Sequence, residues 1–140
     1  MKVFFDSSVL VAAMVEDEPA HEACAAALVS ARNGWAAVHS LLECFATLTG
    51  GRLGVQLAPA EAAQLIRANI YERLDLVSLT AAEYVGVLES SGPVGARGEA
   101  VCDLLLLAAA RKIEAERILS LNVRHFTAFA PDLANVLATP

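Results

Sequence analysis

At 140 residues and 14.7 kDa, the chain is sized to build one core rather than two. Apolar residues make up 56% and charged residues 19%, with a mean hydropathy of +0.53, which excludes intrinsic disorder. The net charge of −6 argues against a protein that coats nucleic acid nonspecifically, so contact with nucleic acid must rest on local arginines, a cation or a partner. No apolar run is longer than that of Leu104–Ala110, too short for a membrane span, and the N-terminus lacks the form of a signal peptide. These features predict a single domain over residues 1–140, soluble and cytoplasmic. Cys24, Cys44 and Cys102 are odd in number and form no C-x-x-C pair, so they predict neither a disulfide framework nor, with His21 alone upstream of Cys24, a zinc site at that pair.

Val3-Phe4-Phe5 is a β-prone run without polar alternation, the pattern of a strand buried on both faces. Asp6 ends it, and a helix follows from Val9 to Met14. Glu16-Asp17-Glu18 and Pro19 separate that helix from a second, which runs to about Arg32. Trp35–His39 reads as the second strand. Ser40-Leu41-Leu42-Glu43 then opens a third helix, ended by Gly50-Gly51. Pro59 starts a fourth, with Ala62, Leu65, Ile66 and Ile70 at helical spacing. Leu76–Leu79 is a third strand, and Thr80-x-x-Glu83 has the form of a capping box that begins a fifth helix. The glycines and proline of 90–98 predict a loop. An apolar helix over Glu99–Glu114 follows, then a fourth strand at Ile118–Leu121, a short helix near Arg124–Ala130 and a weak edge strand at Val136-Leu137.

Short strands alternating with helices predict an α/β fold, a three-layer α/β/α sandwich with a short, mainly parallel central sheet. In such folds the ligand crevice lies beyond the carboxyl ends of the strands. Asp6 ends the first strand and Asn122 the fourth. Glu43 stands in the first turn after the second strand, and Asp103 in the second turn of the helix before the fourth. Three carboxylates and an amide are therefore expected at one crevice, an oxygen donor set suited to Mg²⁺ or Mn²⁺.

Four segments in order, Val3-Phe4-Phe5-Asp6-Ser7-Ser8-Val9-Leu10, residues 41–49 (LLECFATLT), residues 101–110 (VCDLLLLAAA) and residues 119–126 (LSLNVRHF), carry a family resemblance. The chain resembles the PIN domain and, within it, the VapC-type toxin ribonucleases. The resemblance implies that Asp6, Glu43 and Asp103 are the metal-site acids, that Asn122 stands where the family has Asp or Asn, and that Ser8 supports the first acid. It implies a Mg²⁺- or Mn²⁺-dependent endoribonuclease leaving a 5′-phosphate and a 3′-hydroxyl. The implied partners are RNA, a small antitoxin that blocks the site, and a second copy of the chain through the first helices and the fourth. Two positions depart from the pattern: His125 replaces an acid many relatives carry, and Cys102 replaces an aromatic residue, which reads as a packing change.

Each residue also has a plain structural role open to it. Asp6 and Asn122 suit helix caps or turns, and Glu43 is the acid of an apparent capping box with Ser40. Asp103 is harder to place structurally, because a lone carboxylate in an apolar helix is costly without a partner or a metal. His125 suits either a surface position or the tuning of a site, and Arg52, Arg97 and Arg124 are candidate phosphate contacts, Arg124 beside the crevice. The alternative function is a catalytically weak PIN-fold module that binds protein or RNA.

Overall fold

The computed structural model describes residues 1–51 and 54–140. Five strands, β1 (Val3–Phe5), β2 (Gly34–Ala37), β3 (Asp75–Val77), β4 (Arg117–Leu119) and β5 (Leu137–Ala138), form one sheet in the order β3-β2-β1-β4-β5. Every pairing is parallel, with Phe4 opposite both Trp35 and Ile118. The helices are α1 (Ser7–Met14), α2 (His21–Ser30), α3 (His39–Gly50), α4 (Pro59–Ile66), α5 (Ala81–Val94), α6 (Ala100–Lys112) and α7 (Val123–Phe129). Among the described residues no helix is long and apolar enough to cross a membrane.

Successive side chains of a strand point to opposite faces, and β1 shows what this does here. Phe5 joins a core with Val9, Leu10, Cys24, Cys44, Leu48 and Ile70, built from the α1–α4 side. Phe4 joins the other, with Leu104–Leu107, Ala109 and Phe126, built from the α6 and α7 side. Both rings are fully buried, which is why β1 carries no polar alternation. The chain runs outward from β1 to β2 and β3, then returns to β4 on the other side of β1. The strand order therefore reverses between β1 and β4, and a crevice opens at the carboxyl ends of that pair.

The structure moves several expected boundaries. Helix α1 starts at Ser7 rather than Val9, and α2 ends at Ser30 rather than near Arg32. Strands β2, β3 and β4 end at Ala37, Val77 and Leu119, so His39 opens α3 and Ser120, not Asn122, follows β4 directly. The loop expected at 90–98 is largely helix, since α5 runs through Gly92 and Pro93 to Val94. Gly and Pro are tolerated in this exposed last turn because Gly95, at φ 70°, closes it, with the amides of Gly95 and Ala96 bonding the carbonyls of Gly92 and Ser91. Beyond α4 the helical course continues to Ile70 as its spacing predicts, in a widened turn over Arg67–Tyr71.

Candidate active site

Asp6 is the first residue past β1 and is buried, with only 4% of its surface exposed. Its amide donates to the Leu119 carbonyl (3.0 Å), which ties it to the neighbouring strand. Its Oδ2 accepts from Ser8 Oγ (2.6 Å) and Ser120 Oγ (2.7 Å). Ser120 Oγ in turn accepts the Asn122 amide (2.9 Å), and Ser8 Oγ accepts the Leu121 amide (3.1 Å). Two hydroxyls thus orient one carboxylate oxygen while pinning the turn after β4. Asp6 stands at the N-cap position of α1, but its side chain makes no capping bond, so capping does not account for it.

Glu43 lies on α3, where Oε1 accepts from Ser7 Oγ (3.0 Å); Ser7 Oγ is also bonded to Ser40 Oγ (2.9 Å). The capping box expected for Ser40 and Glu43 is absent. The helix already starts at His39, after Val38 in helical conformation, so Ser40 is spent on Ser7. Asp103 falls in the first turn of α6 rather than the second. Its Oδ2 lies 2.8 Å from His125 Nε2, and the imidazole packs edge-on against Phe129 with centroids 4.7 Å apart. His125 thus gives the third carboxylate a partner. Asn122 is exposed at the N-cap of α7 and its side chain makes no capping bond.

All three carboxyls are held above the usual carboxylate range, with burial as the largest cause in each. For Asp6 the Ser8 and Ser120 hydroxyls pull back and the charge of Asp103 pushes further up. For Glu43 the Ser7 hydroxyl and His39 pull back, while Asp6 and Asp103 push up. For Asp103 the pull comes from His125. The three groups thus share one field in which each added negative charge is costly.

The surface here has two recesses that share Glu43 and Thr47. The larger, about 610 Å³, is lined also by Glu99, Cys102, Asp103 and His125. The smaller, about 350 Å³, is lined also by Ser7, Ser8, Leu121 and Asn122. Each of the three carboxylates has one oxygen held by a hydroxyl or an imidazole and one without a side-chain partner among the described residues. Carboxylate oxygens are the donors that a hard divalent cation takes, while it keeps several waters. His39 and Cys102 border the same acids: His39, Glu43 and Cys102 offer ligand atoms that all lie within 4.8 Å of one another.

The sequence matches the PIN domain family over residues 3–130. The chain belongs to the PIN domain family. Its fold is similar to that of Mycobacterium tuberculosis VapC20, a sarcin–ricin loop cleaving toxin, with a TM-score of 0.69 at 19% identity, covering 91% of this chain and 95% of that one. It is also similar to VapBC2 from Rickettsia felis, solved bound to a DNA fragment from their promoter, with a TM-score of 0.67 at 14% identity, covering 99% of this chain and 98% of that one. At these identities the likeness is one of fold. None of the curated proteins is a significant sequence match.

Within this PIN domain, four polar residues of the crevice escaped the sequence reading as site members: Ser7, Ser120, His39 and Cys102. Ser120 and His39 lay inside expected strands, where a side chain at the strand end is not anticipated. The available signal for His39 was its spacing of four from Glu43, which places both on one helix face. Arg124 and Arg97 are exposed, Arg124 adjacent to His125 on α7, and Arg52 lies outside the described residues.

Proposed function

We propose that this single PIN domain is a metal-dependent endoribonuclease of the VapC toxin type, acting on RNA in the cytoplasm. The observation that carries the reading is the set of three carboxylates, Asp6, Glu43 and Asp103, each with one oxygen fastened and one unclaimed by a side chain, at the point where the strand order reverses. Asp6, Glu43 and Asp103 would hold Mg²⁺ or Mn²⁺, directly or through water, with Asn122 assisting from the rim. Such a cation neutralises phosphate charge and lowers the pKa of a coordinated water.

The chain's own residues do the rest. Ser8 and Ser120 fix the rotation of the Asp6 carboxylate, and Ser7 fixes that of Glu43. His125 holds Oδ2 of Asp103 and leaves Oδ1 without a side-chain partner among the described residues. Exposed Arg124, next to His125, would meet a phosphate of the RNA and offset the repulsion expected from a chain of charge −6.

A small antitoxin and a second copy of the chain complete the proposed assembly. Exposed Leu42 and Tyr71 flank a mainly apolar groove of about 300 Å³ beside α3 and α4, completed by Leu41, Phe45, Ala63, Ile66 and the charged Arg67. Exposed apolar surface of this kind supports a protein partner on that face.

The test is cleavage of a structured RNA. The wild-type protein should cut it in Mg²⁺ or Mn²⁺ and not in EDTA. RNA that is bound but left intact under both cations would replace this reading with that of a binding module.

A further inference from the structure

We propose that His39, Glu43 and Cys102 form a second cation site, for Zn²⁺, whose occupancy withdraws Glu43 from the oxygen site and silences it. The withdrawal, unlike the site itself, rests on the nuclease reading above.

The donor set differs in kind from the three carboxylates. Oxygen ligands alone suit Mg²⁺ and Mn²⁺, whereas imidazole and thiolate favour Zn²⁺. His39 and Glu43 stand four residues apart on α3 and therefore share a face, and Cys102 reaches the same point from the first turn of α6. Their ligand atoms lie within 4.8 Å of one another, and a tetrahedral Zn²⁺ sets such atoms roughly 3.5 Å apart. A rotamer adjustment of about an ångström closes the gap. Three protein ligands leave a fourth position for water, reachable from the 610 Å³ recess that Glu43 and Cys102 line.

Two further observations point the same way. The side chains of His39 and Cys102 make no hydrogen bond among the described residues, so no existing contact must break to free them. The carboxylates of Glu43, Asp103 and Glu99 surround the Cys102 thiol with negative charge. The same negative field attracts a cation, and binding releases the thiol proton to solvent. Glu43 has one oxygen free of side-chain partners, because Ser7 holds the other, so that oxygen serves one cation at a time. Cys24 and Cys44 are both fully buried in the α1–α4 core and offer no competing thiol.

Co²⁺ serves as the spectroscopic probe, because a thiolate ligand adds a charge-transfer absorption that oxygen ligands lack. The intact chain should develop that band with one equivalent of Co²⁺. Cys102→Ala should abolish it, and His39→Ala, which keeps the thiol, should weaken Co²⁺ and Zn²⁺ binding at least tenfold. Absence of the band in the wild type, or its survival in Cys102→Ala, would overturn the site. With each variant's own rate in Mg²⁺ alone as its reference, both should need at least tenfold more Zn²⁺ than the wild type for half-inhibition. Equal zinc sensitivity would overturn the withdrawal of Glu43. If the wild type cleaves no RNA, the nuclease reading fails alone, and release of bound Mn²⁺ by Zn²⁺, followed by electron paramagnetic resonance, decides the competition in the same three proteins.

Discussion

Asp6 and Asp103 carry the same functional group in opposite settings, near enough for the charge of Asp103 to act on Asp6. Asp6 is buried at the joint of β1 and β4, where both its side-chain partners are neutral hydroxyls that also pin the turn after β4. Asp103 is half-buried on a helix, and its partner is an imidazole that can carry charge. The first carboxylate is thus built into the sheet, and among the described residues no cationic side chain bonds to it. The second is reachable and partly answered by His125. Loss of support around Asp6 should therefore damage the fold, whereas changes around Asp103 should be read in activity.

The largest effect expected on that contrast is Asp103→Asn. The amide is nearly isosteric but brings no charge to a cation, so cleavage should fall by about a thousandfold or more, some 4 kcal/mol of barrier, with the melting curve little changed. Cleavage at the wild-type rate in Mg²⁺ would remove Asp103 from the site. Ser120→Ala comes next and belongs to the other side of the contrast. It removes a donor from Asp6 and an acceptor from the Asn122 amide, at a cost of about 1–3 kcal/mol in stability, measurable by urea unfolding. An unchanged midpoint would show that the joint does not depend on it. His125→Ala should lower cleavage by about tenfold or less, equivalent to some 1.4 kcal/mol, and should leave stability nearly unaltered. A thousandfold loss would make His125 part of the chemistry rather than a support for Asp103.

The smallest effect concerns pH. Asp6, Glu43 and Asp103 all titrate above their usual range, chiefly through burial. A carboxyl raised by folding favours the folded state fully below its unfolded pKa, and that contribution is lost as pH rises through the folded value. Cation-free protein should therefore gain stability as pH falls from neutral toward the ordinary carboxylate range. Glu83 and Asp132, lowered by their hydrogen bonds to Lys112 and Arg111, act oppositely and lose their contribution at lower pH. Thermal melts in EDTA across that range check the sign, and steady loss of stability on acidification would contradict it.

Much of the layout was legible in the residues, and the misses have identifiable causes. The unalternated Val3-Phe4-Phe5 run gave β1 and placed Asp6 at its end, because a strand buried on both faces leaves no other reading. Asp103 stood out because its helix neighbours are apolar. Two motifs of the form S/T-x-x-E show where pattern alone gives out. Thr80 and Glu83 form both bonds of a capping box, at 3.2 and 2.8 Å, since they stand at an exposed helix start. Ser40 and Glu43 form neither, because their helix begins earlier and Ser7 from α1 claims both side chains. That contact spans more than thirty residues, and no local rule contains it. Ser120 was hidden for a related reason: strand ends set which residue meets the crevice, and a shift of two residues exchanges Asn122 for Ser120. The helical course of 90–94 depended on the cap at Gly95 more than on Gly92 and Pro93 within it.

The central claim is that the three carboxylates await a cation, and thermal melts of wild type and Asp6→Asn, each in EDTA and in Mn²⁺, test it without knowledge of the RNA. In the wild type Mn²⁺ at a hundred times its dissociation constant should stabilise by about 2.7 kcal/mol. Asp6→Asn should melt higher than wild type in EDTA, since one repelling buried charge is gone, and should gain less from Mn²⁺, since a ligand is gone. Four superimposable curves would contradict the cation site and the nuclease reading built on it.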